Sequence, residues 1–195
     1  VLPCSFATAP ALAGGCGLTC GDCPPYQGPD TCGDDPIHVI NANEFKETTD
    51  YETAGQNRLA FNRSYNSRVS FGSLGNWRTN FDGHLYLKNY DRDVEYVWAL
   101  RPDSKSIYFF SDGSGAWNGP TNIEMKLSQS GATWTITDWN DTVETYTETD
   151  QYNARLTSIK ARNGYTQFMN YNSNGRLITV TDSYGRTLTF SYICL

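Results

Sequence analysis

Apolar and polar residues alternate with period two over most of the chain, and no stretch shows a 3.6-residue repeat of apolar positions. Regular alternation predicts strands at His84 to Lys88, Val94 to Leu100, Ser106 to Phe110, Ile123 to Leu127, Thr133 to Thr137 and Val143 to Thr147. Turn residues separate them: Arg101-Pro102-Asp103-Ser104, Asp112-Gly113, Ser130-Gly131 and Asn140-Asp141. Earlier, Ile37 to Ile40 and Leu59 to Tyr65 read as strands, and Phe71 to Trp77 as a Gly-punctuated loop ending in a buried Trp. The expected fold is all-β, built from consecutive antiparallel hairpins in an extended, curved sheet.

The last part of the chain repeats itself at a 21-residue offset: Tyr152-Asn153-Ala154-Arg155-Leu156 lands on Ser173-Asn174-Gly175-Arg176-Leu177, and Asn163-Gly164 on Tyr184-Gly185. Each copy reads strand, turn, strand, with Arg155 to Lys160, Asn163-Gly164 and Thr166 to Tyr171 in the first. A repeat this short cannot bury its own apolar face and must stack on its neighbours. That favours an architectural role over a catalytic pocket. The expected organisation is a Cys-rich segment over 1–35, a hairpin domain over 36–149 and repeat hairpins over 150–195.

Composition agrees with strands and turns: 38% of residues are apolar and 14% aromatic, with 13 Tyr, 5 Trp and 17 Gly in 195 residues. A net charge of −6 with no local run of Lys and Arg argues against nucleic acid and against an anionic membrane surface. No apolar run approaches the roughly 20 residues of a spanning helix, so membrane insertion is not expected. Cys4, Cys16, Cys20, Cys23 and Cys32 crowd into a Gly- and Pro-rich segment without strand pattern, and Cys194 stands alone near the other end. Such a segment needs staples to be ordered, so disulfides are the favoured reading, with a four-thiolate zinc site as the alternative. Disulfides imply a secreted or cell-surface protein whose signal peptide is already removed.

His38 and His84 sit in no hydrolase or zinc-protease motif, and no cofactor is expected. Asp91, Asp93, Asp138 and Asp141 are candidate calcium ligands that read more simply as turn formers. Tyr86, Tyr96, Trp98, Tyr108, Phe110, Trp117, Trp134, Trp139 and Tyr146 form an aromatic stripe. It reads as cross-strand pairs that stabilise the sheet, with a sugar-binding face as the alternative. Trp77, Trp98, Trp134, Phe109, Phe168 and Phe190 are expected inside the sheet or on its packed face. Asn62-Arg63-Ser64 and Asn140-Asp141-Thr142 match the glycosylation sequon, a pattern that chance produces often.

The run from Tyr171 to Tyr192, Tyr-x3-Gly-Arg-Leu-x2-Val-Thr-Asp-x2-Gly-Arg-Thr-Leu-Thr-Phe-x-Tyr, resembles the YD repeat of Rhs and teneurin-like proteins. Upstream, Gly33 to Val39, Asn43 to Tyr51, Leu59 to Ser67 and Leu74 to Asp82 are similar to the domain that opens bacterial Rhs shells. The resemblance implies a spiralling β-sheet of the kind that winds into a hollow shell around a toxin. It brings no catalytic residue, because the family's self-cleaving aspartate region has no match here. A continuing array would carry Tyr-Asp after Ser191, whereas the chain reads Tyr192-Ile193-Cys194-Leu195, so the array is expected to end there.

The edge strand Thr187, Leu188, Thr189, Phe190, Ser191, Tyr192, Ile193 carries neither charge nor Pro and is expected to accept a partner strand. The expected function is therefore that of a non-enzymatic extracellular structural protein that forms homo-oligomers or polymers, or filaments, through open β-edges. The alternatives are the opening segment of a toxin-encapsulating shell, partnered by the rest of that shell, and a carbohydrate-binding β module.

Overall fold

A computed structural model of the chain describes residues 37–38, 43–67, 76–90, 93–101, 106–121 and 123–192. All six cysteines, Asp91 and Ile193 lie outside these residues. The described chain is all-β, with antiparallel strands throughout and two compact units.

The first unit carries a four-stranded sheet in the order β1 (Ile37–His38), β2 (Asn43–Glu52), β3 (Ala60–Asn66), β4 (Trp77–Thr79). Strand β2 was not expected from alternation, since Asn43-Glu44-Phe45-Lys46-Glu47-Thr48-Thr49-Asp50-Tyr51-Glu52 offers only Phe45 and Tyr51 as apolar positions. Pairing along the length of β3, from Phe45↔Asn66 to Glu52↔Ala60, fixes it instead. Arg63 adds a side-chain tie across that pair, donating from Nη2 to Asp50 Oδ1 at 2.7 Å. Trp77 opens β4 half-buried, with the Arg63 guanidinium 4.9 Å from its ring centroid.

The second unit is an 11-stranded sheet. Its strands are β5 (His84–Tyr90), β6 (Asp93–Leu100), β7 (Ser106–Ser111), β8 (Trp117–Asn118), β9 (Met125–Ser130), β10 (Thr133–Asp138), β11 (Val143–Asp150), β12 (Asn153–Lys160), β13 (Thr166–Tyr171), β14 (Leu177–Asp182) and β15 (Thr187–Thr189). Strand β12 is its hub. One edge of β12 pairs with β11, while the other is shared between β5, at Asn153, Ala154 and Arg155, and β13, at Ser158, Ile159 and Lys160. From β12 the sheet runs one way through β5, β6 and β7 to β8, and the other way through β11 and β10 to β9. It folds back on itself so that Trp117 of β8 meets Trp134 of β10, rings 5.2 Å apart. Leu85, Val97, Phe109, Trp134, Tyr146 and Leu156 fill the interior, all fully buried. Beyond β12, the repeat region adds β13, β14 and β15 in sequence.

One turn design recurs along this sheet. In loops starting at Asp138, Ala161, Asn172 and Asp182, the first residue's N–H donates to the carbonyl four residues on, at 2.8 to 3.0 Å, and the fourth residue's N–H returns to the first carbonyl. That fourth residue has positive φ: 57° at Asp141, 86° at Gly164, 76° at Gly175 and 82° at Gly185. This is a type I turn closed by a one-residue bulge, the usual three-residue hairpin loop. Asn163-Gly164 thus occupies the end of a three-residue loop, not a two-residue turn. Where the first residue is Asp or Asn, its side chain supplies two further acceptor bonds, as from Asn172 Oδ1 to the N–H groups of Asn174 and Arg176, both 3.0 Å.

Gly164→Ala should destabilise the fold by about 1 kcal/mol, because a Cβ in the left-handed region is strained although nothing lies within 4 Å of it. Asp141→Gly, at the corresponding position of its own turn, should cost nothing or stabilise slightly. Denaturant titration of both variants checks the pair; equal losses at the two sites would mean that backbone conformation does not govern these turns.

Candidate functional site

Antiparallel pairing turns the N–H and C=O of alternate residues to opposite sides of a strand. In β15, Phe190 N–H donates to Ile178 O and Asp182 N–H to Arg186 O, both 2.9 Å, so residues 186, 188 and 190 face β14. Thr187 and Thr189 therefore direct their backbone groups away from β14, and no strand pairs with them among the described residues. Their side chains share the outer face with Thr179 and Thr181, Thr187 Oγ1 lying 3.1 Å from Thr181 Oγ1. Leu188 takes the opposite face beside the fully buried Val180. Regular strand structure stops at Thr189; Phe190, Ser191 and Tyr192 follow in irregular conformation.

The turn before β15 is clamped to the previous hairpin. Asp182 Oδ2 accepts from Arg186 Nε at 2.7 Å and from the Tyr165 hydroxyl at 3.1 Å, while Oδ1 takes the N–H groups of Tyr184 and Arg186, both 2.9 Å. Tyr165 and Tyr184 pack with centroids 5.6 Å apart. Burial pushes the Asp182 carboxyl up, but the Arg186 guanidinium, the two turn N–H groups and the Tyr165 hydroxyl outweigh it and hold it below the ordinary aspartate value. Burial, together with the neighbouring carboxylate, pushes the Tyr165 phenol up.

A second buried cluster sits among β6, β9 and β11. Arg101 Nε lies 3.2 and 3.3 Å from the two Glu144 carboxylate oxygens, Arg101 Nη1 contacts Met125 Sδ at 3.2 Å, and the Tyr146 hydroxyl donates to Glu144 Oε2 at 2.7 Å. Alternation carries a hint of it, since Glu144 is in phase with Tyr146 and so points inward. Arg101, which the sequence places at the start of a turn, is buried.

The aromatic stripe divides between the two faces. Trp134 and Tyr146 are interior. On the outer face of β5, β6 and β7, Tyr86 stacks on Trp98 at 4.9 Å, and Trp98 on Tyr108 at 5.9 Å with planes 5° apart. Tyr96 approaches Phe110 at 6.1 Å. Tyr86, Trp98 and Tyr108 thus turn their faces to one another, whereas Tyr96 and Phe110 are tilted by 41°. Tyr108 and Phe110 remain exposed at the end of the ladder, and Trp139 stands in a turn at 74% exposure. Of the six rings expected to be packed, Trp134 and Phe109 are fully buried, whereas Phe168 is 49% exposed. Phe168 follows the outer-face phase of Thr181, its partner across the ladder, which is why it leaves the core.

Asp138 and Asp141 do not converge as ligands. Asp138 Oδ1 accepts from the N–H groups of Asn140 and Thr142, both 2.9 Å, and Asp141 lies 3.5 Å from Arg162. Asp93 belongs to β6. No group of three or more metal-ligating side chains occurs among the described residues. His84 Nε2 lies 3.0 Å from Asn153 Oδ1 at the β5–β12 junction, and His38 belongs to β1. In the first unit an open depression of about 360 Å³ is lined by polar groups including Glu47, Asn62, Arg63 and Asn80. Its Arg63 is engaged by Asp50.

Residues 34–109 match a family described as a domain of unknown function, DUF6531. The match runs from β1 into β7 and so covers the four-stranded sheet and the start of the larger one. No curated protein matches the chain.

A carboxyl held low by folding binds its proton only below the value it has in the unfolded chain. The stability contributed by Asp182 is therefore present above the ordinary aspartate pKa of about 4 and is lost as pH falls through its lower folded value. Asp182→Asn should lower stability at neutral pH by about 2 kcal/mol and flatten the acid side of the stability profile. Melts recorded from neutral to acid pH check this; an unchanged acid limb would remove Asp182 from the account.

Proposed function

We propose that this chain is a non-catalytic, exported architectural module of the Rhs/YD-repeat type whose sheet is extended edge-on by a further strand. In the leading form it is a structural subunit that assembles with copies of itself into oligomers or filaments. The observation that carries this reading is the outer edge of β15, where Thr187 and Thr189 present backbone donors and acceptors that no described strand takes up. Such an edge templates strand addition unless it is blunted by charge, Pro or a cover. Two further features support it. The repeat hairpins use one turn geometry, so the sheet grows by a constant unit, and the DUF6531 match lies over the segment that resembles the opening domain of Rhs shells.

The second reading makes the chain the opening segment of a toxin-encapsulating shell. The same edge favours it, since a further repeat hairpin of one longer chain would dock there with the same register. A sugar-binding face is the weakest of the three readings: stacking on a sugar needs an open ring face, and Tyr86 and Trp98 give theirs to neighbouring rings.

Thr189→Pro removes an N–H that points outward and so should abolish assembly while leaving the melting temperature close to the parent's. Leu188→Pro removes an N–H that faces β14 and should lower the melting temperature. Sedimentation velocity and thermal melts on both variants check the contrast. A parent that stays monomeric at every concentration would end the self-assembly form and leave the shell segment.

A further inference from the structure

Strand β15 is not the only open edge in the second unit. Strand β8 covers only one end of β7, at Phe110↔Asn118 and Ser111↔Trp117, and stops before Pro120, which has no N–H to continue the ladder. Asp112 N–H donates to Ala116 O at 3.1 Å, which fixes the phase: Phe110, Tyr108 and Ser106 turn their backbone groups away from β6. Phe110 is taken by Asn118, while the backbone groups of Tyr108 and Ser106 meet no partner strand among the described residues. The result is a notch from Ser106 to Tyr108, flanked on the outer face by the last ring of the aromatic ladder.

We infer that this notch on β7 receives β15 of a second copy of the chain, in antiparallel pairing. The inference rests on the self-assembly reading and says which two edges meet. Hydrogen-bonded antiparallel partners carry their side chains on the same face, so the register follows from the phases of the two strands. Because Asn118 already occupies Phe110, only one register uses both free residues of each strand: Thr187 opposite Tyr108, and Thr189 opposite Ser106. That register sets Leu188, which shares a face with Val180, beside Ile107, whose side chain points into the interior. The threonines then lie on the outer face with Tyr108 and Ser106. Parallel pairing would instead turn the threonines toward the interior and Leu188 outward. The three residues of β15 match the three-residue notch in length.

The two surfaces differ, so the contact is heterologous and propagates head to tail. It is also small, below the roughly 1,000 Å² of a stable interface, so assembly should depend steeply on concentration. Complementation tests it. Thr189→Pro spoils β15 and keeps the notch, while Tyr108→Pro spoils the notch and keeps β15. Each variant alone should lose every species above the monomer, and their equimolar mixture should form a heterodimer and stop there. A Tyr108→Pro protein that assembles like the parent, or a mixture that stays monomeric while the parent assembles, overturns the inference but not self-assembly. A parent that never assembles overturns both. Should Tyr108→Pro fail to fold, a synthetic peptide of residues 185–192 carrying a photo-crosslinker in place of Thr189 replaces it. The peptide should dissolve the parent's assemblies and crosslink at Ser106; a crosslink confined to any other strand overturns the inference.

Discussion

Every backbone amide in a sheet needs a partner, another strand or water, and a strand sends alternate amides to opposite sides. A sheet therefore has no natural end: its last strand satisfies half of its backbone and presents the other half. In this protein the interior strands meet the requirement locally. Strand β12 does so on both sides at once by dividing one edge between β5 and β13, which joins the folded-back part of the sheet to the repeat hairpins. Among the described strands of this sheet, open edges remain at β15, at β9, which pairs with β10 alone, and at the part of β7 that β8 leaves uncovered.

The hairpins that lead to that edge are held by local chemistry more than by a deep core. Each turn closes its own backbone bonds, and in the two that start at Asn172 and Asp182 the first side chain adds acceptors for the N–H groups ahead. Asp182 also reaches back through Tyr165 to the preceding hairpin, so the last turn is tied both to itself and to its neighbour. In the folded-back part of the sheet, the Arg101–Glu144 pair does the opposite kind of work. It buries charge between strands distant in sequence, where losing one partner leaves the other uncompensated, typically a loss of about 3–5 kcal/mol.

The fold class was legible in the sequence because alternation and turn residues are local signals. The strand expected from Thr166 to Tyr171 is β13 with those bounds, and the one expected from Arg155 is the larger part of β12. Strand β2 was not legible, since its residues are polar and its conformation is imposed by β3. The two-residue β8 leaves no pattern for a related reason, as Trp117 and Asn118 are too short a run to alternate. At the edge, absence of charge and Pro points to Thr187 through Ile193, but which amides face outward depends on register, which the pairing with β14 sets. The notch at β7 arises from two segments meeting, with Pro120 as its one trace in the sequence. The clamp at Asp182 left a clearer one, the Gly-Arg pair that begins three residues after both Asn172 and Asp182, yet its Tyr165 partner lies across the ladder.

Residue-resolved amide hydrogen exchange, followed from dilute to concentrated protein, tests the central claim most directly. In dilute solution the amides of Leu188 and Phe190 should be protected and those of Thr187 and Thr189 should exchange freely; on concentration the two threonine amides should become protected, and those of Ser106 and Tyr108 with them. If Thr187 and Thr189 are already as protected as Leu188 in the dilute monomer, the outer edge of β15 is not open, and edge-on growth of this sheet is contradicted.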